Sequence, residues 1–211
     1  GTTATSEVWI KQGAGGAWWP APSLPNSQPQ SAPAGRFLTN ALLLPDGSLL
    51  VLGGAARLPN GPLVNMLEPL LYKDGAWQML PPAASPRGYH SSAVLLPDAR
   101  VLIGGGDSRS FDYEIFSPSY LTLPRPQNLA FSPSVPVDAQ TGAHQLNYGV
   151  QYTITFDPLP IGVTASRAVL MTPGSTTHHF DMHQRQVSVP FTFPNDVTVL
   201  DSGSITMPSS D

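Results

Sequence analysis

Apolar positions along this chain come in short runs broken by turn residues, and one such pattern occurs twice. Ala41-Leu42-Leu43-Leu44-Pro45-Asp46-Gly47-Ser48-Leu49-Leu50-Val51-Leu52-Gly53-Gly54 returns as Ala93-Val94-Leu95-Leu96-Pro97-Asp98-Ala99-Arg100-Val101-Leu102-Ile103-Gly104-Gly105-Gly106, at an offset of 52 residues. Each copy predicts an apolar strand, a Pro-Asp turn, a second apolar strand and a Gly pair. Proline presets φ and aspartate bonds its own backbone, so the turn has a local cause. Both strands are apolar nearly throughout, as expected where both faces are covered.

Leu70-Leu71-Tyr72 follows the first Gly pair, and Trp77 lies five residues past Tyr72 in Gly75-Ala76-Trp77-Gln78-Met79-Leu80. Two inner strands, a diglycine and outer strands carrying Tyr and Trp form the layout of a kelch repeat, whose period is near 50. Glu7-Val8-Trp9-Ile10 and Gly16-Ala17-Trp18-Trp19-Pro20 fit the outer part of a preceding blade, with residues 20–35 as an inter-blade loop. These aromatics read as packing between blades.

A change of domain follows. Phe111, Tyr113 and Ile115 alternate with Asp112 and Glu114 on one more strand, and Pro124-Arg125-Pro126 marks a boundary. Beyond it Val150, Tyr152, Ile154 and Phe156 alternate with Gln151, Thr153 and Thr155, and Ala168–Met171 and Val187–Phe191 supply further strands. The fold class is therefore all-β: a partial kelch-type β-propeller over residues 1–123, then an immunoglobulin-like β-sandwich over 124–211. Such a sandwich has about 100 residues and seven strands, so this one reads as short by a strand or two. Propellers close with roughly four to eight blades. Two and a fraction are legible here, so the remaining blades are expected on further sequence or a companion chain. The chain opens Gly1-Thr2-Thr3-Ala4-Thr5 without a signal peptide, as a fragment or processed product would.

Composition narrows the function. The chain has 211 residues, 11% of them charged, with 24 Pro and 19 Gly. A net charge of −4 with 10 Lys+Arg leaves no basic footprint for nucleic acid. No apolar run approaches the ~20 residues of a spanning helix, so no membrane span is expected. Cysteine is absent, which removes disulfides, thiolate ligands and thiol nucleophiles from this chain.

The chemistry gathers in two segments. Arg87-Gly88-Tyr89-His90-Ser91-Ser92 sets a phenol beside an imidazole at a strand start. On a regular strand neighbours face opposite ways, so Tyr89 and His90 share a ligand only where the backbone is irregular. The plainer reading packs Tyr89 between blades and gives His90 a backbone partner. The second segment, Thr177-His178-His179-Phe180-Asp181-Met182-His183-Gln184-Arg185, carries three histidines. Imidazole suits copper, but loop histidines are also common without a ligand. Their spacing matches no familiar zinc pattern.

Taken together, the two segments resemble the copper radical oxidases, the family of galactose oxidase and glyoxal oxidase. The Arg87–Ser92 segment with its Leu-Leu-Pro-Asp hairpin is similar to that family's last-blade motif. Phe111–Leu121 is similar to its strand leading out of the propeller. Thr177-His178 followed by Gln184-Arg185 is similar to its Thr-His-x-x-x-x-x-Gln-Arg loop. The resemblance implies that Tyr89 is the axial copper ligand and base, and that His90 and His178 are equatorial ligands. His179 and His183 have no counterpart and are expected to point elsewhere. Gln184 and Arg185 would hold the loop.

The implied activity is oxidation of a primary alcohol or aldehyde with O₂ giving H₂O₂, on a small alcohol, aldehyde or carbohydrate substrate, in a secreted or cell-surface protein. The family's radical tyrosine, cross-linked to a cysteine, is not encoded in this chain, and Phe37-Leu38 replaces the Phe-His often found beside the substrate pocket. The competing reading is a non-catalytic propeller-plus-sandwich scaffold for binding, adhesion or surface assembly, since such folds are widely reused.

Overall fold

The 52-residue repeat folds as two copies of one hairpin. In the computed structural model, which describes residues 6–12, 15–25, 35–57, 61–107, 111–172, 174–192 and 201–207, strands account for nearly all regular structure. The helical exception among the described residues is a single 3₁₀ turn at Ser119–Thr122. None of their helices is long and apolar enough to cross a membrane. The chain groups into two compact units, Gly1–Pro118 with Thr172–Arg185, and Ser119–Met171 with Gln186–Asp211.

In the first unit, β1 (Ser6–Gln12) and β2 (Gly15–Ala21) pair antiparallel as the outer hairpin expected of a preceding blade. Part of the loop expected over 20–35, residues 26–34, lies outside the described residues, as do the side chains of Trp9 and Trp19. Next come β3 (Asn40–Leu43), β4 (Leu49–Leu52), β5 (Ala55–Arg57), β6 (Leu63–Asn65), β7 (Leu70–Lys73) and β8 (Ala76–Met79). The order β3-β4-β7-β8 makes a four-stranded blade, and β5-β6 is a separate hairpin inserted after the Gly pair. Leu42, Leu44, Leu50, Leu52 and Leu70 are buried in the blade, each contributing on the order of 2 kcal/mol by leaving water. Tyr72 and Trp77 face each other across β7 and β8 with ring centres 4.9 Å apart, and the Trp77 indole donates to the Pro22 carbonyl at 2.9 Å.

The second copy gives β9 (Ser91–Leu95), β10 (Val101–Gly105) and β11 (Tyr113–Phe116), in the order β11-β10-β9. A four-stranded blade is the expectation; three strands are present among the described residues. The turns of the two copies match bond for bond. Leu44 N–H donates to Ser48 O and Leu96 N–H to Arg100 O, while Asp46 and Asp98 each accept the amide two residues on. Gly47 has φ 86° in the first turn, and Ala99 is held at φ 69° in the second. That left-handed conformation costs a residue with a Cβ roughly 1 kcal/mol.

The second unit contains β12 (Ala130–Ser132), β13 (Gln151–Phe156) and β14 (Ala168–Thr172). The chain next forms β15 (Ser175–Thr177) and β16 (Phe180–Met182), which group with the first unit. It returns through β17 (Arg185–Val189), β18 (Phe191–Thr192) and β19 (Asp201–Thr206). The sheets β12-β13-β19-β18 and β14-β17 form the sandwich. Its core is the inward row Tyr152, Ile154 and Phe156, closed by Val189, Ile205 and Met207, with Gln151 and Thr153 exposed. Residues 208–211 lie outside the described residues.

Replacing Ala99 with Gly removes the left-handed strain and is expected to raise stability by about 0.5–1 kcal/mol in urea denaturation. Gly53→Ala is expected to lower it by more than about 2 kcal/mol, because the added Cβ would overlap the Arg87 carbonyl oxygen at a residue whose φ is 62°.

Candidate functional site

Tyr89 and His90 are held from below by Arg87. Its side chain is wholly buried, with Nη1 donating to the Gly105 carbonyl at 3.1 Å and to the Asp112 carbonyl at 3.3 Å. Ion pairs run from Nη1 to Asp112 Oδ1 at 3.1 Å and from Nη2 to Glu114 Oε1 at 3.2 Å. Glu114 also accepts the Ala84 and Ser85 amides, so the irregular segment leading to Tyr89 is tied to β11. Asp112 and Glu114, the polar side of this alternation, are thus the side aimed at Arg87. Phe111, Tyr113 and Ile115 are exposed instead. A buried guanidinium requires its carboxylates, and that requirement outweighs the apolar row. The Ser85 hydroxyl, followed by Arg87, holds the Asp112 carboxyl below the usual aspartate range.

The Arg87 carbonyl accepts the Gly54 amide at 2.6 Å, so the Gly pair of one blade seats the strand start of the next. Above this seat His90 has φ 62°. That break in alternation puts neighbouring side chains on one side, and the Tyr89 and His90 ring centres lie 3.9 Å apart. Leu38, 52 residues earlier, has φ 58°. The kink therefore belongs to the repeat, and the second copy alone carries polar groups on it. Subtracting the copies gives Phe37→Tyr89, Leu38→His90 and Ala55→Asp107.

Asp107 is a functional candidate that sequence reasoning passed over, although this subtraction would have found it. Its Oδ1 lies 2.8 Å from His90 Nδ1. The partner of His90 is a carboxylate, not the backbone group of the plainer reading. A carboxylate on Nδ1 fixes the ring and leaves Nε2 for a ligand.

The second histidine segment meets this face. β15 and β16 pair through Thr177↔Phe180, leaving His178 (φ 50°) and His179 (φ 66°) as a two-residue turn. Turns with two positive φ values ordinarily take Asn-Gly; two histidines cost about 1 kcal/mol each in backbone strain. Anchors hold the hairpin against the free inner edges of both blades. Thr176 Oγ1 donates to Ala93 O on β9 at 2.8 Å. Gln184 behaves like an added strand residue, accepting the Leu43 amide and donating to Ala41 O on β3, both at 2.8 Å. Asp181 Oδ1 accepts the Ser175 amide at 2.7 Å and closes the hairpin.

The turn places its imidazoles unequally. His178 is exposed, with Nδ1 2.8 Å from Thr177 Oγ1. His179 does not point elsewhere: its ring centre is 6.1 Å from that of Tyr89. Its edge is part-exposed, yet both ring nitrogens are shielded from water and have no hydrogen-bond partner. Burial pushes its pKa below the usual histidine value, and the nearby His178 and His90 push it the same way. His183, also at positive φ (68°), is exposed. Among the described residues no three His, Asp or Glu side chains already form a metal-binding group. A phenol, His90 on its carboxylate and orphaned imidazole nitrogens nonetheless make a donor set suited to copper.

The family model described as glyoxal oxidase N-terminus matches residues 21–134, and the galactose oxidase-like early set domain matches 136–211. The chain belongs to the copper radical oxidase family. Among relatives in that family, galactose oxidase of Gibberella zeae is 31% identical over 170 residues, covering 76% of this chain and 23% of its own length. An aldehyde oxidase of Arabidopsis thaliana is 29% identical over 177 residues, covering 74% of this chain and 28% of its own length. The chain thus spans about a quarter of these relatives. A fungal alcohol oxidase solved in complex with copper aligns with TM-score 0.71 at 22% identity, over 98% of this chain and 42% of that one, and shares the fold.

The Gln184 anchors are testable. Gln184→Leu leaves the Leu43 N–H and Ala41 C=O unpaired and is expected to cost about 1–3 kcal/mol in chemical denaturation. Asp112 supplies a pH dependence. Because its folded pKa is depressed, its stabilising effect is present above the unfolded value near 3.9 and lost as pH falls through the folded one. Ser85→Ala is expected to raise the Asp112 pKa toward the ordinary value, read by carboxyl NMR titration, and to shift acid unfolding to higher pH.

Proposed function

We propose that this chain supplies the copper-binding part of an alcohol or aldehyde oxidase, with Tyr89, His90 and His178 as ligands. The observation that carries the reading is the convergence of the family's two motifs on one face. Tyr89 and His90 stack at 3.9 Å, and the His178-His179 turn is anchored beside them. In such a site His90 binds through Nε2 while Asp107 holds Nδ1, and His178 binds through the nitrogen that Thr177 leaves free.

Copper there would supply one-electron redox chemistry and a Lewis-acidic position. The Tyr89 oxygen is the proton acceptor. A phenol is a poor base at neutral pH with its free pKa near 10, and a metal held by Tyr89, His90 and His178 would favour its phenolate form. The overall reaction, RCH₂OH + O₂ → RCHO + H₂O₂, moves two electrons, so a second one-electron centre is required. With no cysteine in the chain, the cysteine-linked tyrosine that serves the family in this role lies outside it. The remaining blades, on further sequence or a companion chain, would provide that centre and the substrate pocket. A small alcohol, aldehyde or carbohydrate substrate and a secreted or cell-surface setting follow from the same family reading.

The purified protein is expected to bind one Cu²⁺ in calorimetry. His90→Ala should weaken binding at least about tenfold, and Asp107→Asn by about tenfold, the usual range for a partner behind a ligand. Tyr89→Phe should retain copper but lose a phenolate-to-copper absorption band. The copper-loaded 211-residue chain should release no alcohol-dependent peroxide by itself. Absence of copper binding would replace this reading with the non-catalytic scaffold.

A further inference from the structure

Two imidazoles flank the Tyr89 phenol, and the family motif accounts for one of them. His90 stacks on Tyr89 from its own strand; His179 approaches from the hairpin with a ring-centre distance of 6.1 Å. His179 is also a side chain whose Nδ1 and Nε2 are both shielded and unpartnered. Orphaned polar atoms of this kind call for a ligand, and a neutral imidazole nitrogen is a metal donor. The backbone gives an independent reason. His178 and His179 occupy both left-handed positions of a two-residue turn that Asn-Gly would fill without strain. Strained backbone of this sort clusters at functional sites.

We propose that His179 is a further copper donor, so that the turn offers two imidazoles to the Tyr89–His90 face. The proposal rests on the copper reading above and adds to it the neighbour of the motif histidine. Thr176 and Gln184 fix the hairpin on β9 and β3, and Asp181 closes it from within. The turn is therefore anchored beside the Tyr89–His90 face, and the two rings would come to a shared ion by side-chain rotation. Histidine rather than Asn-Gly at both tip positions is then the feature that makes the site richer in nitrogen than the motif requires.

The test counts nitrogens. Cu²⁺ is added to the purified protein, and imidazole couplings are read by pulsed EPR alongside affinity by calorimetry. The wild type should show three imidazoles. His179→Ala should show two, with binding weakened at least about tenfold, whereas His183→Ala should match the wild type. A turn variant, His179→Gly, should melt at the same or a higher temperature without metal while its copper affinity falls at least about tenfold. That result separates ligation from folding. The proposal is overturned if His179→Ala keeps the wild-type coupling pattern and an affinity within about twofold while His90→Ala loses copper. In that case the ligand set of the family motif stands alone. If the wild type itself binds no copper, the wider copper reading falls together with this one.

Discussion

Everything at the candidate site depends on a positive charge kept out of water. Arg87 is anchored by the Gly105 and Asp112 carbonyls and by the carboxylates of Asp112 and Glu114. Removing a partner from a buried charge is far more costly than losing a surface ion pair. Phe111 and Tyr113 lie in the open, while Asp112 and Glu114 accordingly face Arg87. The same residue lends its carbonyl to Gly54. One side chain and one backbone oxygen thereby lock the approach to Tyr89 against both copies of the repeat.

The hairpins were legible because their causes are local. Pro45-Asp46 and Pro97-Asp98 build turns by bonds within a few residues, and Gly53, Gly54 and Gly105 mark positions where a Cβ would strike neighbouring atoms. Alternation at Tyr152, Ile154 and Phe156 fixed the inward face of β13. The orientation of β11 was not legible: period-two alternation is symmetric, and only the distant Arg87 breaks the tie. The β5–β6 hairpin carries its own turn signal in Pro59-Asn60-Gly61, which the repeat pattern overshadowed, and Ala56 and Met66 form a small buried cluster with Val64 packed against it.

At the candidate site, motif order singles out Tyr89, His90 and His178 as candidates, and the kink at His90 explains how the neighbours Tyr89 and His90 share a side. Asp107 and His179 were hidden for different reasons. Asp107 follows a Gly-rich stretch as any loop aspartate does, and its importance lies in a 2.8 Å contact across the strand start. His179 has no motif position, and the groups that set its environment include Tyr89 and His90, about ninety residues away in the chain.

The shared conformation of Leu38 and His90 has a further consequence. Backbone strain at an active site is usually regarded as a sacrifice made for chemistry. Here the left-handed residue is present in a blade with no chemistry at that position, so it belongs to the architecture. The two copies present sockets of one shape, one holding a leucine and the other a histidine. A blade of this kind can acquire or lose a metal ligand by side-chain exchange alone. Relatives with the same fold can therefore differ in reactivity without differing in shape.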